Sequence, residues 1–152
     1  MKKTFIAVTV LFAITFACKK ESQTNTATTS ETLFQKNQRL ITASNWRADS
    51  IVLINNGIVV KNATDSCMAD DVHTFAGTGF YFVKKGAISC FENEPAVDTL
   101  KWEQTTNGDS IKIKGIDLPY IMNYKLKSVT DSRFEISNKD GFTEEIIIYK
   151  KK

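Results

Sequence analysis

From Trp46 onward the apolar residues recur at every second position, and that period restricts the chain to strands with one buried and one wet face. Leu100 and Trp102 alternate with Lys101 and Glu103, and Ile111 and Ile113 with Lys112 and Lys114. Tyr120, Met122, Tyr124 and Leu126 alternate with Ile121, Asn123, Lys125 and Lys127, and Phe134 and Ile136 with Arg133 and Glu135. Gly77-Thr78-Gly79, Asn107-Gly108-Asp109 and Lys139-Asp140-Gly141 stand between the runs as turn signals. Eight strands are expected, at roughly 46–53, 71–76, 79–84, 99–104, 110–114, 120–128, 132–137 and 142–150. Such a meander removes its exposed edges by closing on itself. The expected fold is all-β, an eight-stranded antiparallel up-and-down barrel. Two runs, Phe80-Tyr81-Phe82-Val83 and Ile146-Ile147-Ile148-Tyr149, are apolar on both faces, so their outer sides call for a helix or a subunit contact as cover.

Ahead of the strands, Glu31 to Thr42 has the spacing of a short helix. Leu33, Phe34, Leu40 and Ile41 form one stripe, with Ser30 placed to cap its start and Glu31 at the positive end of its dipole. The segment Lys19 to Ser30 holds no large apolar residue and cannot bury enough surface to order itself. It reads as a flexible tether with an r.m.s. reach of roughly 20 Å.

The first residues read as an export signal: Met1-Lys2-Lys3, an apolar run from Thr4 to Ala17, then Cys18 and Lys19-Lys20-Glu21. The run is shorter than the roughly 20 residues that span a bilayer. With cysteine as the first mature residue, the start resembles that of a bacterial lipoprotein, cleaved before Cys18 and lipidated on its sulfur, although Thr15 stands where such signals usually carry Leu. Ordinary cleavage after Ala17, leaving a free thiol, is the alternative. The three cysteines fit lipidation, because a disulfide between Cys67 and Cys90 would leave Cys18 as the odd one. Two unpaired buried thiols are the other possibility. Without Lys2 and Lys3 the 20 basic residues become 18 against 17 acidic, so the formal charge of +3 falls to +1. A nearly neutral domain gives no electrostatic case for nucleic acid.

The segment Cys67-Met68-Ala69-Asp70-Asp71-Val72-His73-Thr74-Phe75, followed by Gly79-Phe80-Tyr81-Phe82 and Cys90, resembles the pattern of bacterial lipocalin-like domain lipoproteins. Trp102 near mid-chain, the hairpin from Thr106 to Ile113 and the closing Ile146-Ile147-Ile148-Tyr149-Lys150 extend the resemblance over about residues 33–152. Larger lipocalins carry Gly-x-Trp at the first strand, where this chain has Ser44-Asn45-Trp46. The resemblance implies a lipocalin-like barrel at the cell envelope and does not carry a particular ligand. The domains expected are a signal peptide (1–17), a lipid-anchored tether (18–30) and the barrel (31–152). Lys19-Lys20-Glu21 matches poorly the acidic stretch of some surface lipoproteins, which points to the periplasmic face of the outer membrane.

Catalytic signals are weak. Cys67, Asp70, Asp71 and His73 invite a metal site, yet His73 is the single histidine, and no Cys-x-x-Cys or His-x-x-x-His pair supports it. No nucleophile elbow accompanies it. Glu92, Glu94 and Asp98 read as a solvated acidic loop rather than a hydrolytic carboxylate pair. No enzyme activity and no cofactor are expected. An eight-stranded barrel is either filled by its own side chains or holds one small ligand. The candidate lining residues are Trp102, Tyr120, Met122, Tyr124 and Phe134, each equally explicable as core. The expected function is to bind a small, mainly apolar ligand in the barrel, with the membrane as partner through the lipid. The rival is a solid barrel that binds a protein through Asn55-Asn56-Gly57, the 91–98 loop or the outer faces of 80–83 and 146–149.

Overall fold

The computed structural model describes residues 30–62, 64–117 and 119–152. The signal, Cys18 and nearly all of the tether lie outside them. One helix, α1 (Leu33–Thr42), precedes nine strands: β1 (Asn45–Asn55), β2 (Ile58–Asn62), β3 (Val72–Phe75), β4 (Phe80–Lys84), β5 (Val97–Gln104), β6 (Ser110–Gly115), β7 (Ile121–Val129), β8 (Arg133–Asp140) and β9 (Thr143–Lys151). All neighbours are antiparallel, and β9 returns to pair with β1 along its length, from Trp46 opposite Lys151 to Asn55 opposite Thr143. β1 and β3 to β9 therefore make the closed eight-stranded up-and-down barrel. The ninth strand, β2, pairs with β1 beyond the point where β3 leaves it, from Val52 opposite Asn62 to Asn55 opposite Ile58. It was not among the expected runs. Asn56 and Gly57 turn this hairpin with positive φ of 50° and 79°, the conformation a two-residue turn demands.

The two ends of the barrel differ. At one end the helix closes the interior. Thr32, not Ser30, caps α1, in a capping box with Gln35, while Glu31 pairs with Arg39. Ile41 is fully buried, whereas Leu33 from the expected stripe is 54% exposed and buried Asn37 completes the inner face. Asn37 Nδ2 donates to the Gly108 carbonyl at 2.9 Å, and Trp46 Nε1 donates to the Ile41 carbonyl at 2.8 Å, which satisfies a terminal helix acceptor. Gly108, with φ +78°, sits so close to the Phe34 backbone (2.6 Å from where a Cβ would lie) that no other residue fits.

Above this floor the aromatic side chains interlock. Trp46 meets Phe134 edge-on at 4.8 Å between centroids, and Phe75 meets Trp102 and Phe134 at 5.3 and 5.6 Å. Ile111 and Ile136 fill the remaining space with no exposed surface. Bulges in β1 (between Ala48 and Ser50) and β7 (between Leu126 and Ser128) shift the inward phase by one, so Ile51 and Val129 turn toward the core. The helix floors the barrel and does not cover the outer faces of β4 and β9. There Phe80 stacks on Phe82 at 6.1 Å, and Ile146 and Ile148 are half-buried. The closed ring of strands and its core cluster lie within residues 33–151.

Candidate functional site

The opposite end is open in its interior and built over from outside by two loops. Cys67 and Cys90 are joined in a disulfide, with Cα atoms 5.1 Å apart, tying the 64–71 turn to the 85–96 loop. As chain neighbours, Asp70 and Asp71 would point apart in an extended segment. The turn instead brings both carboxylates to one stretch of backbone: the Gly86 amide donates to Asp71 Oδ1 at 2.8 Å and the Ala87 amide to Asp70 Oδ2 at 2.7 Å. A Cβ on Gly86 would overlap the Asp70 carboxylate.

Lys85 binds the flap from beneath. Its Nζ lies 2.6 Å from Glu94, 3.1 Å from Asp98 and 3.5 Å from Asp71, whose side chain is 2% exposed. Glu94 also accepts from Ser89 Oγ and the Cys90 amide, so this part of the acidic loop is a folded ion cluster and not a solvated run. Burial works against the Lys85 ammonium, but hydrogen bonds to Glu94 and Asp98 outweigh it and raise the pKa well above the usual lysine value. The hydrogen bond from Lys85 holds the Glu94 carboxyl below the ordinary range.

Beneath the flap lies an interior cavity of about 210 Å³. Its walls are mainly apolar, with Ile51, Val83, Leu100, Ile113, Met122 and Ile147 among them, and Met68 reaches in from the flap. His73, Tyr81, Tyr124 and Tyr149 bring polar tips to the same space. His73 Nδ1 is 2.7 Å from the Tyr81 hydroxyl, and Tyr81 is in turn hydrogen-bonded to Tyr149. The imidazole meets the Tyr149 ring edge-on at 5.1 Å. Its other nitrogen, Nε2, is buried with no hydrogen-bond partner among the described residues. Burial is the main reason its pKa falls to about 4; Lys85 lowers it further and Asp71 opposes the shift. Burial likewise pushes Tyr149 up to about 12 and Tyr81 well above the ordinary phenol value. Tyr124 reaches Glu145 only through a long contact of 3.4 Å.

Of the residues proposed from sequence to line the interior, Met122 and Tyr124 reach the cavity. Phe134 is fully buried in the aromatic layer below it. Trp102 belongs to that layer too, its Nε1 donating to the Ala76 carbonyl at 2.9 Å, and it borders a shallow groove on the outer wall instead. Tyr120 precedes β7 and is 45% exposed on the rim, beside Ile116 and Asp117. His73, Tyr81 and Tyr149 were missed as lining residues, although period two along 71–75 and 79–83 places the first two on the inward face with Phe75 and Val83. The residues weighed as a metal site do not converge. Cys67 is in the disulfide, the two aspartates hold the 86–87 amides, and His73 faces a phenol.

The fold and site together define a small β-barrel with one end packed solid and a compact, partly polar cavity at the other. No family model and no curated protein matches the chain.

Proposed function

We propose that this protein is a lipid-anchored binding module of the bacterial cell envelope, which holds a small, mainly apolar ligand in the open half of its barrel without covalent chemistry. The observation that carries this reading is the half-open cavity of about 210 Å³ in the barrel, whose walls are mostly apolar with His73, Tyr81, Tyr124 and Tyr149 among its lining. The Cys67–Cys90 disulfide supports export, since such bonds persist in oxidising compartments. The export signal ending at Cys18, and the resemblance to lipocalin-like domain lipoproteins, support the anchor and its place at the periplasmic face of the outer membrane. His73, with a pKa near 4 and a phenol on Nδ1, is a poor general base at neutral pH, which supports a non-catalytic role.

Native mass spectrometry of the protein from its own organism, with organic extraction of what accompanies it, tests the reading. A discrete bound mass is expected, absent from an Ala48→Leu variant that fills the cavity wall. A bare protein, or a mass that survives the filling, would defeat it. A second reading, a protein-binding module, draws on the outer surface of the open end. Ile58, Val59 and Val60 on β2 are more than half exposed, and Phe142, whose carbonyl accepts from the Asn56 amide, is 80% exposed. A partner held there would be lost with Val59→Lys while cavity binding persisted.

A further inference from the structure

The ligand class follows from the barrel wall beside the cavity, given the reading above that the cavity is a ligand site. The β7–β8 ladder runs only from Lys125 opposite Ser137 to Val129 opposite Phe134. Toward the open end each strand keeps only its other neighbour: Ile121 to Tyr124 pair with β6, and Asn138 to Asp140 with β9. The wall therefore splits between β7 and β8. The split is a cleft, lined by Asn123, Lys125 and Lys127 on one side and Asn138 and Lys139 on the other.

Tyr124 lines both this cleft and the interior cavity, so the two spaces share one wall. Its hydroxyl makes only long contacts, 3.5 Å to Met122 Sδ and 3.4 Å to Glu145, whereas a good hydroxyl hydrogen bond to oxygen is about 2.7–2.8 Å. Packing rather than a short hydrogen bond holds the ring. Because the cavity is half-open, a ligand seated against its apolar walls is not confined to it. A molecule that extends past Tyr124 brings its outer end into the cleft.

The cleft is positively charged. Lys125, Lys127 and Lys139 line it with one carboxylate, Glu144, so three positive charges against one negative leave an excess of +2. Glu144 is taken by Lys127 at 3.3 Å, although Lys139 stands opposite it in the β8–β9 register. Lys125 and Lys139 make no ion pair among the described residues. Asp109 acts on Lys125 at longer range, and its carboxylate is engaged by Ser110 and Thr105. An ammonium is repelled here, while an anion meets two lysines without close partners. We infer that the ligand is an amphiphilic acid: its apolar body occupies the cavity, and its carboxylate or phosphate lies in the β7–β8 cleft with Lys125 and Lys139 as partners.

Four probes with the same chain separate the possibilities: octanoate, octyl phosphate, 1-octanol and octylamine, titrated calorimetrically into the purified full chain. At low salt at least one acid should bind about five-fold or more tightly than 1-octanol and octylamine, and the advantage should shrink as salt is added. Which acid binds better distinguishes a carboxylate from a phosphate head. Lys125→Gln combined with Lys139→Gln should lower the acids to the level of 1-octanol, while unchanged 1-octanol binding reports an intact cavity. NMR of the unsubstituted protein locates the head without a variant. Amide resonances of residues 123–125 and 137–139 should move with the acid and not with 1-octanol, whereas those of Met68 and Ile147 should move with both. If 1-octanol or octylamine binds as tightly as both acids, if the double variant binds the acids unchanged, or if the cleft amides stay still, the acid assignment is overturned and the cavity reading stands. Failure of all four to bind overturns the cavity reading itself, and this inference with it.

Discussion

Burying an imidazole among phenols and beside an ammonium penalises its protonated form, and His73 carries that penalty into the stability of the whole barrel. The groups facing it are Tyr81 from β4, Tyr149 from β9, Asp71 ahead of β3 and Lys85 after β4. Its pKa is about 4 in the folded protein against the ordinary 6.5, so the unfolded chain takes up the proton first. Stability is therefore complete above about pH 6.5 and declines as the pH falls toward about 4, by roughly 3 kcal/mol in all. Urea titrations at about pH 7, 5.5 and 4.5 should show that decline in the parent protein and a shallower one in His73→Phe. Parallel pH profiles would show that His73 is not the group responsible. Residue by residue, the sequence announced this site unevenly. Met122 and Tyr124 were legible because a long strand with lysines on its outer face fixes which side is inside. Phe134 was correctly placed inside, but depth along the barrel is not encoded in a period of two, so packed floor and cavity wall looked alike. His73 drew notice as a possible ligand or base, and its real setting depends on Tyr81 and Tyr149, brought to it by pairing that no local pattern specifies.

At the level of elements, the flap over the cavity is held by one covalent and two ionic devices: the Cys67–Cys90 bond, the aspartate clamps on the 86–87 amides and the Lys85 cluster. None of these belongs to a strand ladder, so cutting the disulfide should loosen the flap and leave the barrel closed by β1 and β9. Loss of a crosslink over 23 residues costs about 3 kcal/mol, which corresponds to a fall in melting temperature of about 10 °C for a domain of this size. Reductant should produce that shift with the far-ultraviolet circular dichroism unchanged before the melt. The same melting temperature with both thiols alkylated would show that the bond contributes nothing. Most of the strand order was readable from alternation and turn residues. β2 was overlooked although Asn56-Gly57 is a strong hairpin signal, because Ile58-Val59-Val60 has no polar face and lies outside the barrel wall. The bulges in β1 and β7 were invisible for a related reason: each inserts a residue that local sequence does not mark, and each changes which side chains face inward.

On the scale of the whole molecule, the chain enters and the cavity opens at opposite ends. Ser30 leads into α1, which packs on the β5–β6 turn at Gly108, whereas the mouth lies among the β1–β2 turn, the disulfide flap and the β8–β9 turn. If Cys18 carries the lipid, the attachment point is on the closed side and the mouth faces away from the membrane on average. Strands of about nine residues at roughly 3.3 Å each run about 30 Å, and with the usual barrel tilt they make the barrel about 21–25 Å high. Were residues 18–30 the flexible tether expected from the sequence, with an r.m.s. reach of roughly 20 Å, the body would tumble and the bias would be graded rather than absolute. Two measurements separate the anchor from the orientation. Metabolic labelling with palmitate should mark the parent protein and not Cys18→Ser; equal labelling would remove the anchor. In vesicles bearing spin-labelled lipids, a fluorophore at Ser132, beside the closed end, should be quenched more than one at Asn56, beside the mouth. The competing force is the apolar rim of Ile58, Val59, Val60 and Phe142. Burying those four side chains in the headgroup region would gain several kcal/mol, enough to overcome the weak preference such a tether would impose. Stronger quenching at Asn56 would therefore mean that the barrel stands mouth-down on the membrane and draws its ligand from the lipid phase, with Val59→Lys restoring the opposite order.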